Sequence, residues 1–153
     1  MDVFSRTFLP AAAEAGLPIP TVSRHMPVFR RCVDWQDAAV LVSRCLRPGR
    51  PLLGEHLLLL LTRSRLVVSQ STRVLHRTRL HLDAAVRDLG NVGWEVDPRL
   101  DAVELALTAP DGLRERFLIR FGDPQRVWHV DALLGHVFRQ RRPVASRPVP
   151  HAA

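Results

Sequence analysis

The middle of the chain, 57–121, is a series of short apolar segments separated by turn residues, and one amphipathic helix follows it. Asp123 and Pro124 form a helix start, because the aspartate can accept a hydrogen bond from a free backbone N–H and the proline φ already suits the first turn. Apolar residues then recur at helical spacing: Val127, Val130, Leu134, Val137 and Phe138. We predict an antiparallel sheet over 57–121 and a helix over 123–142 that covers it.

The individual strands are predicted from the alternation of polar and apolar residues and from the turns between them. His56–Thr62 and Leu66–Gln70 form a hairpin by spacing, and the leucine run in the first segment predicts burial on both faces or beneath the preceding helix. Ala109–Gly112 has the composition of a tight turn. Further strands are predicted over 72–82, 92–97, 103–108 and 113–121, with a bend or loop over 83–90.

The two ends of the chain are rich in proline. Residues 1–33 contain Pro10, Pro18, Pro20 and Pro27, which favour extended backbone, so we predict an arm or strap along the domain. A helix is predicted over 34–47, where Asp34 can cap the first turn and the Pro-Gly pair after Arg47 ends it. Residues 143–153 contain three prolines and are predicted to be a disordered tail.

Composition bears on class and compartment. The longest apolar run has five leucines, against the roughly 20 residues that a membrane-spanning helix needs. The N-terminus has no apolar core typical of a secretory signal, so we predict a cytoplasmic protein. Cys32 and Cys45 would lie about 20 Å apart along one helix, too far for a disulfide, and we interpret both as small buried apolar residues.

The net charge of +7 comes from arginine alone, because all 22 basic residues are arginine. This bias is typical of GC-rich coding, so the positions of the arginines are more informative than their number. Two predicted strands direct arginines to one side and would form a single basic face if they lie close together. That face could bind anionic lipid head groups or nucleic acid, or simply be a solvated face that prevents edge pairing. These arginines are Arg73, Arg77, Arg79, Arg114, Arg116 and Arg120.

The sequence contains little that indicates catalysis. No serine or cysteine has the context of a nucleophile elbow, and no glycine-rich phosphate loop is present. His129 and His136 share a helix face, but no cysteine or glutamate lies at a partnering position for a metal. The acidic residues of 88–111 lack the ligand spacing of a calcium loop. We therefore predict no enzyme activity, no cofactor, no metal and no small-molecule substrate.

Gly54-Glu55 opens the first strand, and Leu61-Thr62-Arg63-Ser64-Arg65-Leu66-Val67-Val68 forms its hairpin. This hairpin, with the order of strands and final helix, resembles the pleckstrin-homology-like (PH-like) domains of bacteria. The resemblance implies an α+β fold: an antiparallel β-barrel or sandwich of about six or seven strands capped by a C-terminal helix, here with an N-terminal helix. The PH-like domain would span 34–142. One departure is Trp128, which lies on the flank of the apolar stripe, whereas the family usually buries a tryptophan in its helix.

Some members of the family bind phosphoinositides at the open end of the barrel, and the fold offers sheet edges and a groove beside the helix that accept peptides. We therefore expect a non-catalytic interaction module that binds a protein partner or itself, with Trp35 and Phe29 as contact residues. The alternative is a binder of anionic lipid head groups, or of nucleic acid, through the arginines. In that case the protein would lie at the inner face of the membrane.

Overall fold

The computed structural model describes residues 2–48, 55–72 and 77–138. Two compact units divide the chain: Met1–Arg87, the N-terminal unit, and Asp88–Ala153, the C-terminal unit. The N-terminal unit contains helices α1 (Val3–Glu14) and α2 (Ile19–Cys32) and strands β1 (Leu41–Cys45), β2 (Glu55–Leu61), β3 (Arg65–Thr72) and β4 (Thr78–Ala85). The C-terminal unit contains strands β5 (Gly90–Asp97), β6 (Ala102–Thr108) and β7 (Arg114–Arg120) and helix α3 (Pro124–Val137).

The expected extended arm is wrong, because most of 1–33 folds into α1 and α2. Phe4, Phe8 and Ala12 recur every four residues and are buried, so α1 has an apolar stripe that favours a helix over an exposed strap. The ring centroids of Phe8 and Phe29 lie 5.7 Å apart, which joins α1 to α2. Burial of these aromatic rings outweighs the local preference of the prolines for extended backbone.

The prolines occupy different positions in these helices. Pro18 is the N-cap of α2, with ψ of 150°, and Pro20 lies in the first turn, where a missing N–H removes no helical hydrogen bond. Pro10 and Pro27 lie inside α1 and α2, where a proline costs ~3 kcal/mol in an isolated helix. Of these four prolines, only Pro18 has the extended backbone that is expected from the sequence.

The predicted helix over 34–47 is also wrong. Residues 34–40 contain no helix, and Leu41–Cys45 is strand β1, paired antiparallel with β2 from Leu41↔Leu61 to Cys45↔Leu57. The N–H of Val40 donates to the carbonyl of Leu61 at 2.8 Å, which starts the ladder. The apolar residues of this segment suit the spacing of a helix as well as that of a strand. Hydrogen bonds to a strand distant in the sequence decide in favour of the strand.

The N-terminal sheet has the order β1-β2-β3-β4 and is antiparallel throughout. The predicted hairpin of the second and third strands is confirmed, with register from Glu55↔Thr72 to Leu61↔Leu66. All five leucines of β2 are buried, as the leucine run predicted. One face of this sheet packs against α1 and α2 through a cluster that includes Phe8, Phe29, Leu58 and Leu60.

The last strand of this sheet extends further than expected. The predicted bend over 83–90 is wrong at its start, since β4 continues to Ala85 and is followed by a short 3₁₀ helix at Val86–Asp88. Arg65 forms an ion pair with Asp83 across β3 and β4 at 2.6 Å, which helps to hold this end in the sheet. The first part of the strand predicted over 72–82 falls on 73–76, outside the described residues.

The C-terminal unit contains the last three strands of the predicted meander and its helix, whereas the earlier strands of the prediction, β2 to β4, belong to a separate sheet. Its sheet has the order β5-β6-β7, and α3 packs against β5 and β6. Asp123 caps α3 as predicted, because its Oδ1 accepts from the N–H of Gln125 at 2.9 Å. The stripe of α3 is buried at Val127, Val130, Leu134 and Phe138, whereas Trp128 is 56% exposed. The predicted turn over 109–112 is confirmed, with Gly112 at φ 90°.

The fold class is therefore α+β, with three helices and two antiparallel sheets in the described residues, and these strands form no closed barrel. No helix in the described ranges is long and apolar enough to cross a bilayer. The end of the helix predicted to reach residue 142 and the tail predicted over 143–153 lie outside the described residues.

Candidate functional site

The six predicted arginines do not belong to one sheet. Arg79 lies on β4 of the four-stranded sheet and Arg77 directly precedes that strand, and both are exposed. Arg114, Arg116 and Arg120 lie on β7 of the three-stranded sheet and are also exposed. Because β4 and β7 pair in different sheets, these arginines do not form one face of a single sheet, and their binding role stays a prediction. Arg73 lies outside the described residues.

The three arginines of β7 form a row on one face, here called the arginine row. Strand residues alternate between faces, so the even-numbered positions from 114 to 120 share one side. The odd-numbered Phe117 and Ile119 are buried at 0% exposure on the other side. Among the strands that the structure describes, β7 pairs only with β6, so the row lies on an edge strand of this sheet.

The members of the arginine row differ in their partners. Arg114 donates from Nη1 to the carbonyl of Asn91 at 2.7 Å and to Oγ1 of Thr108 at 3.2 Å. Arg116 forms an ion pair with Glu104 on β6, with Nε to Oε2 at 2.7 Å. The guanidinium group of Arg120 forms no hydrogen bond or ion pair with another residue in the described part of the chain. The end of the row is therefore available to an anionic group.

A concave site, here called the outer groove, lies beside the arginine row on the same sheet. Gly93 and Ala106 are cross-strand neighbours, and their small side chains leave space between larger ones. The cavity has a volume of about 320 Å³. Its charged walls come from Glu95, Glu104, Arg114 and Arg116.

The sheet face that carries the arginine row and the outer groove, here called the outer face, has different charges on its two sides. Glu95 and Glu104 face each other across β5 and β6, an arrangement that is unfavourable for like charges. Arg116 offsets it by pairing with Glu104. The face is therefore acidic towards β5 and basic at the β7 edge.

The two predicted partner-contact residues have different surroundings. Trp35 is 62% exposed in the segment between α2 and β1, so its side chain is available to a partner. Phe29 is 0% exposed and packs in the core beside Phe8, so it cannot contact a partner in this structure. The expectation for Phe29 is corrected, because α2 turns this ring onto the sheet.

Sequence reasoning missed a second concave site, here called the basic pocket, in the N-terminal unit. Its volume is about 210 Å³. Helix α2 provides one wall and the ends of β1, β2 and β3 provide the others. Leu57 and Leu58 form the apolar part of its lining, and the polar and basic members are Thr21, Arg24, His25, Arg44, His56 and Ser71.

His25 is one of the buried polar residues of this pocket. Its Nδ1 lies 2.8 Å from Oγ of Ser69 on β3, and the residue is only 1% exposed. Burial lowers the pKa of His25 to about 4, and the positive charges of Arg24 and His56 act in the same direction. No sequence signal marks this site, because its residues are separated by up to 50 positions in 21–71 and meet only through the sheet register.

The cysteines lie on different elements, Cys32 at the end of α2 and Cys45 on β1, and both are free thiols. The predicted shared helix is therefore wrong, although the expectation of a buried apolar role is met by Cys45. Burial, and then Asp83, raise the pKa of Cys32 to about 11. Burial also raises the pKa of Cys45. Both thiols are held in the protonated form, which is a poor nucleophile.

The described residues contain no group of three His, Cys, Asp or Glu side chains that could hold a metal ion. His129 and His136, which share a face of α3, are both exposed. Comparison of the sequence with models of protein families and with curated proteins gives no match.

Proposed function

We propose that this chain is a non-catalytic interaction module that binds an extended acidic segment of a partner protein along strand β7. The observation that carries the proposal is the arginine row on an edge strand. An edge strand has unpaired N–H and C=O groups that can accept another strand, and the side chains of the row then select its sequence.

Charge favours an acidic partner over a second copy of the chain. In an antiparallel pair that preserves the faces of the strand, a second β7 would set one arginine row against another. Like charges directly opposite each other are destabilising, whereas each opposite-charge pair across two strands stabilises by ~0.2–1 kcal/mol. A partner strand with acidic residues at alternate positions would therefore fit this edge better than β7 itself.

The position of Leu118 refines the expected partner. This residue is half-buried and lies on the same face as the arginines, between Arg116 and Arg120. An apolar side chain opposite Leu118, flanked by acidic ones, would match the row at each position. The acidic side of the outer face, at Glu95, would keep the acidic segment at the β7 edge.

We also propose that the fold is PH-like. The support is the order of elements: a four-stranded antiparallel sheet, then a three-stranded one, then a closing helix packed on its strands. A fold of this kind does not define a ligand, so the functional proposal depends on the arginine row. The two free thiols suit a reducing compartment, and we assign the protein to the cytoplasm.

Fluorescence anisotropy with a labelled peptide tests the function. The peptide carries glutamate at alternate positions around one central leucine. Arg120→Glu replaces an attractive pair by a repulsive one, and we expect it to weaken binding by about 1 kcal/mol, or about fivefold in Kd. Arg63→Glu is the matched control, because Arg63 is an exposed arginine of the turn between β2 and β3.

A second peptide separates strand addition from simple charge attraction. It has the same side chains but N-methylated backbone groups on alternate residues, so it cannot complete a ladder of hydrogen bonds. We expect it to bind more weakly than the unmodified peptide. Equal binding of the two peptides would contradict strand addition. Binding of the chain to anionic vesicles with no binding to either peptide would overturn the protein-partner proposal in favour of lipid.

A further inference from the structure

The helix-covered face of the N-terminal sheet changes from apolar to polar along its strands. Val42, Leu58, Leu60 and Val67 belong to the core cluster beneath α1 and α2. Two to four residues beyond this cluster, on the same face, the strands carry polar residues instead. These residues are Arg44 on β1, His56 on β2, and Ser69 and Ser71 on β3.

The register of the sheet brings these polar residues together. Arg44 is the cross-strand neighbour of Leu58, and His56 is the neighbour of Ser71. The start of α2 supplies Thr21, Arg24 and His25 to the same cavity. The basic pocket is therefore built from four elements of one unit, and its wall at α2 includes the first turn of a 14-residue helix.

The charges of the basic pocket lack compensation within the described part of the chain. Among the described residues no acidic side chain lines the pocket, and the guanidinium groups of Arg24 and Arg44 form no ion pair or hydrogen bond with any of them. Other arginines of the same unit are paired, such as Arg30 with Asp2 and Arg65 with Asp83, each at 2.6 Å. Two guanidinium groups beside a histidine, without a carboxylate, repel each other unless an anion lies between them.

The floor of the pocket is ordered and polar. His25 and Ser71 are each only 1% exposed, and Ser69 holds the His25 ring through Nδ1 at 2.8 Å. Buried polar side chains are retained where they have hydrogen-bond partners, and a pocket lined by them suits a ligand with several acceptor oxygens. The pocket also lies beside the start of α2, where Thr21 has a backbone N–H without a helical partner and the helix dipole is positive.

We propose that the basic pocket binds a phosphate group, either as the free anion or as part of a small molecule, with Arg24 and Arg44 as its charged ligands. The guanidinium fork matches phosphate oxygens in a bidentate manner, which a simple point charge does not. The cavity of about 210 Å³ is smaller than the ~300–1,000 Å³ typical of pockets that enclose a whole organic ligand. The phosphate is therefore the part of the molecule that the pocket recognises, and Thr21, His56 and Ser71 complete its surroundings.

Isothermal titration calorimetry tests the proposal. The full chain is titrated with inorganic phosphate at low salt, in a buffer that contains no other oxyanion. We expect saturable binding with one site. Arg24→Ala and Arg44→Ala should each weaken binding by at least about tenfold. The double variant should show no binding. Arg63→Ala is the matched control and should bind as the wild type does.

Far-UV circular dichroism and thermal unfolding of each variant distinguish a lost ligand from a lost fold. Arg44 is exposed on an edge strand, so its alanine variant should keep the wild-type Tm in the absence of phosphate. Phosphate should raise the Tm of the wild type and of Arg63→Ala but not that of Arg44→Ala.

Two further titrations, one with glycerol 3-phosphate and one with vesicles that contain phosphatidic acid, identify the source of the phosphate. Glycerol 3-phosphate should bind at least as tightly as inorganic phosphate if a phosphate monoester is the natural ligand, whereas tighter binding of the free anion would assign the pocket to inorganic phosphate. Either result supports the proposal. It is overturned if wild type shows no saturable binding, if both alanine variants bind like the wild type, or if only vesicles that contain phosphatidic acid bind.

Discussion

The buried histidine of the N-terminal unit leads to a specific pH dependence of stability. His25 is 1% exposed, and burial, together with the charges of Arg24 and His56, lowers its pKa from 6.5 to about 4. The unfolded chain therefore binds this proton at a higher pH than the folded chain does. The stabilisation that comes from a neutral His25 is complete above pH 6.5 and is lost as the pH falls from there towards about 4.

The size of the effect follows from the pKa values of His25 in the unfolded and folded chain. Over each pH unit that separates these two values, the free energy of unfolding changes by ~1.4 kcal/mol at most, and between about pH 7 and pH 5 the linkage amounts to about 2 kcal/mol. The lowered pKa of Asp2, held at about 2 by the N–H of Ser5, acts at lower pH and does not contribute in this window. Between about pH 7 and pH 5, His25 should therefore account for most of the difference in the pH dependence of the free energy of unfolding between the wild type and a variant that lacks it.

Urea unfolding followed by circular dichroism at the two pH values measures this effect. The wild type should lose about 2 kcal/mol more than His25→Gln when the pH falls from about 7 to about 5. His129→Gln removes an exposed histidine of α3 and should behave as the wild type does. The reasoning is refuted if His25→Gln keeps the full pH dependence, or if the ring protons of His25 titrate in the folded protein with a midpoint near the ordinary value.

Five further substitutions, of which Trp35→Ala and Gly122→Ala are controls, test other features. Phe29→Ala should lower the free energy of unfolding in urea by ~3–5 kcal/mol, because the ring is fully buried. Trp35→Ala, at an exposed residue, should change it by less than ~0.5 kcal/mol. Equal losses would contradict the assigned core. Asp123→Ala removes the cap of α3 and should lower the unfolding free energy by ~1 kcal/mol, and an unchanged Tm would argue against that cap. Gly112→Ala should destabilise by ~1–2 kcal/mol because φ is 90°, while Gly122→Ala, which has open space and no positive φ, should have little effect on Tm.

The parts of the fold that sequence reasoning predicted are those with local causes. The hairpin of β2 and β3 and the turn before β7 depend on turn residues and on alternation within a few positions. The start of α3 depends on one aspartate and one proline, and its N-cap hydrogen bond spans only two residues. In these places the local preference and the tertiary packing agree, so the pattern was sufficient.

The failures have a common cause, because partners distant in the sequence decide the conformation. α1 and α2 form in spite of their prolines since Phe4, Phe8 and Phe29 share one core. β1 is a strand because β2 supplies its hydrogen bonds, although the segment also has helical spacing.

The candidate sites divide in the same way. The alternation of arginines along β7 is visible in the sequence, and so is the single side that they share. Their ion pairing is not visible, since Glu104 binds Arg116 only through the register of β6 and β7. The same register sets Ala102 opposite Arg120, so no described acidic side chain pairs with the Arg120 guanidinium group.

The sequence by itself determined where this chain turns, where its last helix begins and which side chains alternate along its strands, because these properties depend on backbone geometry over a few residues. Only the tertiary structure decided that the N-terminal segment is helical, that β4 and β7 pair in different sheets, and that Arg24 and Arg44 meet at a pocket without an acid. Hydrogen-bond ladders, buried area and charge proximity act between residues far apart in the chain, so no local pattern contains them.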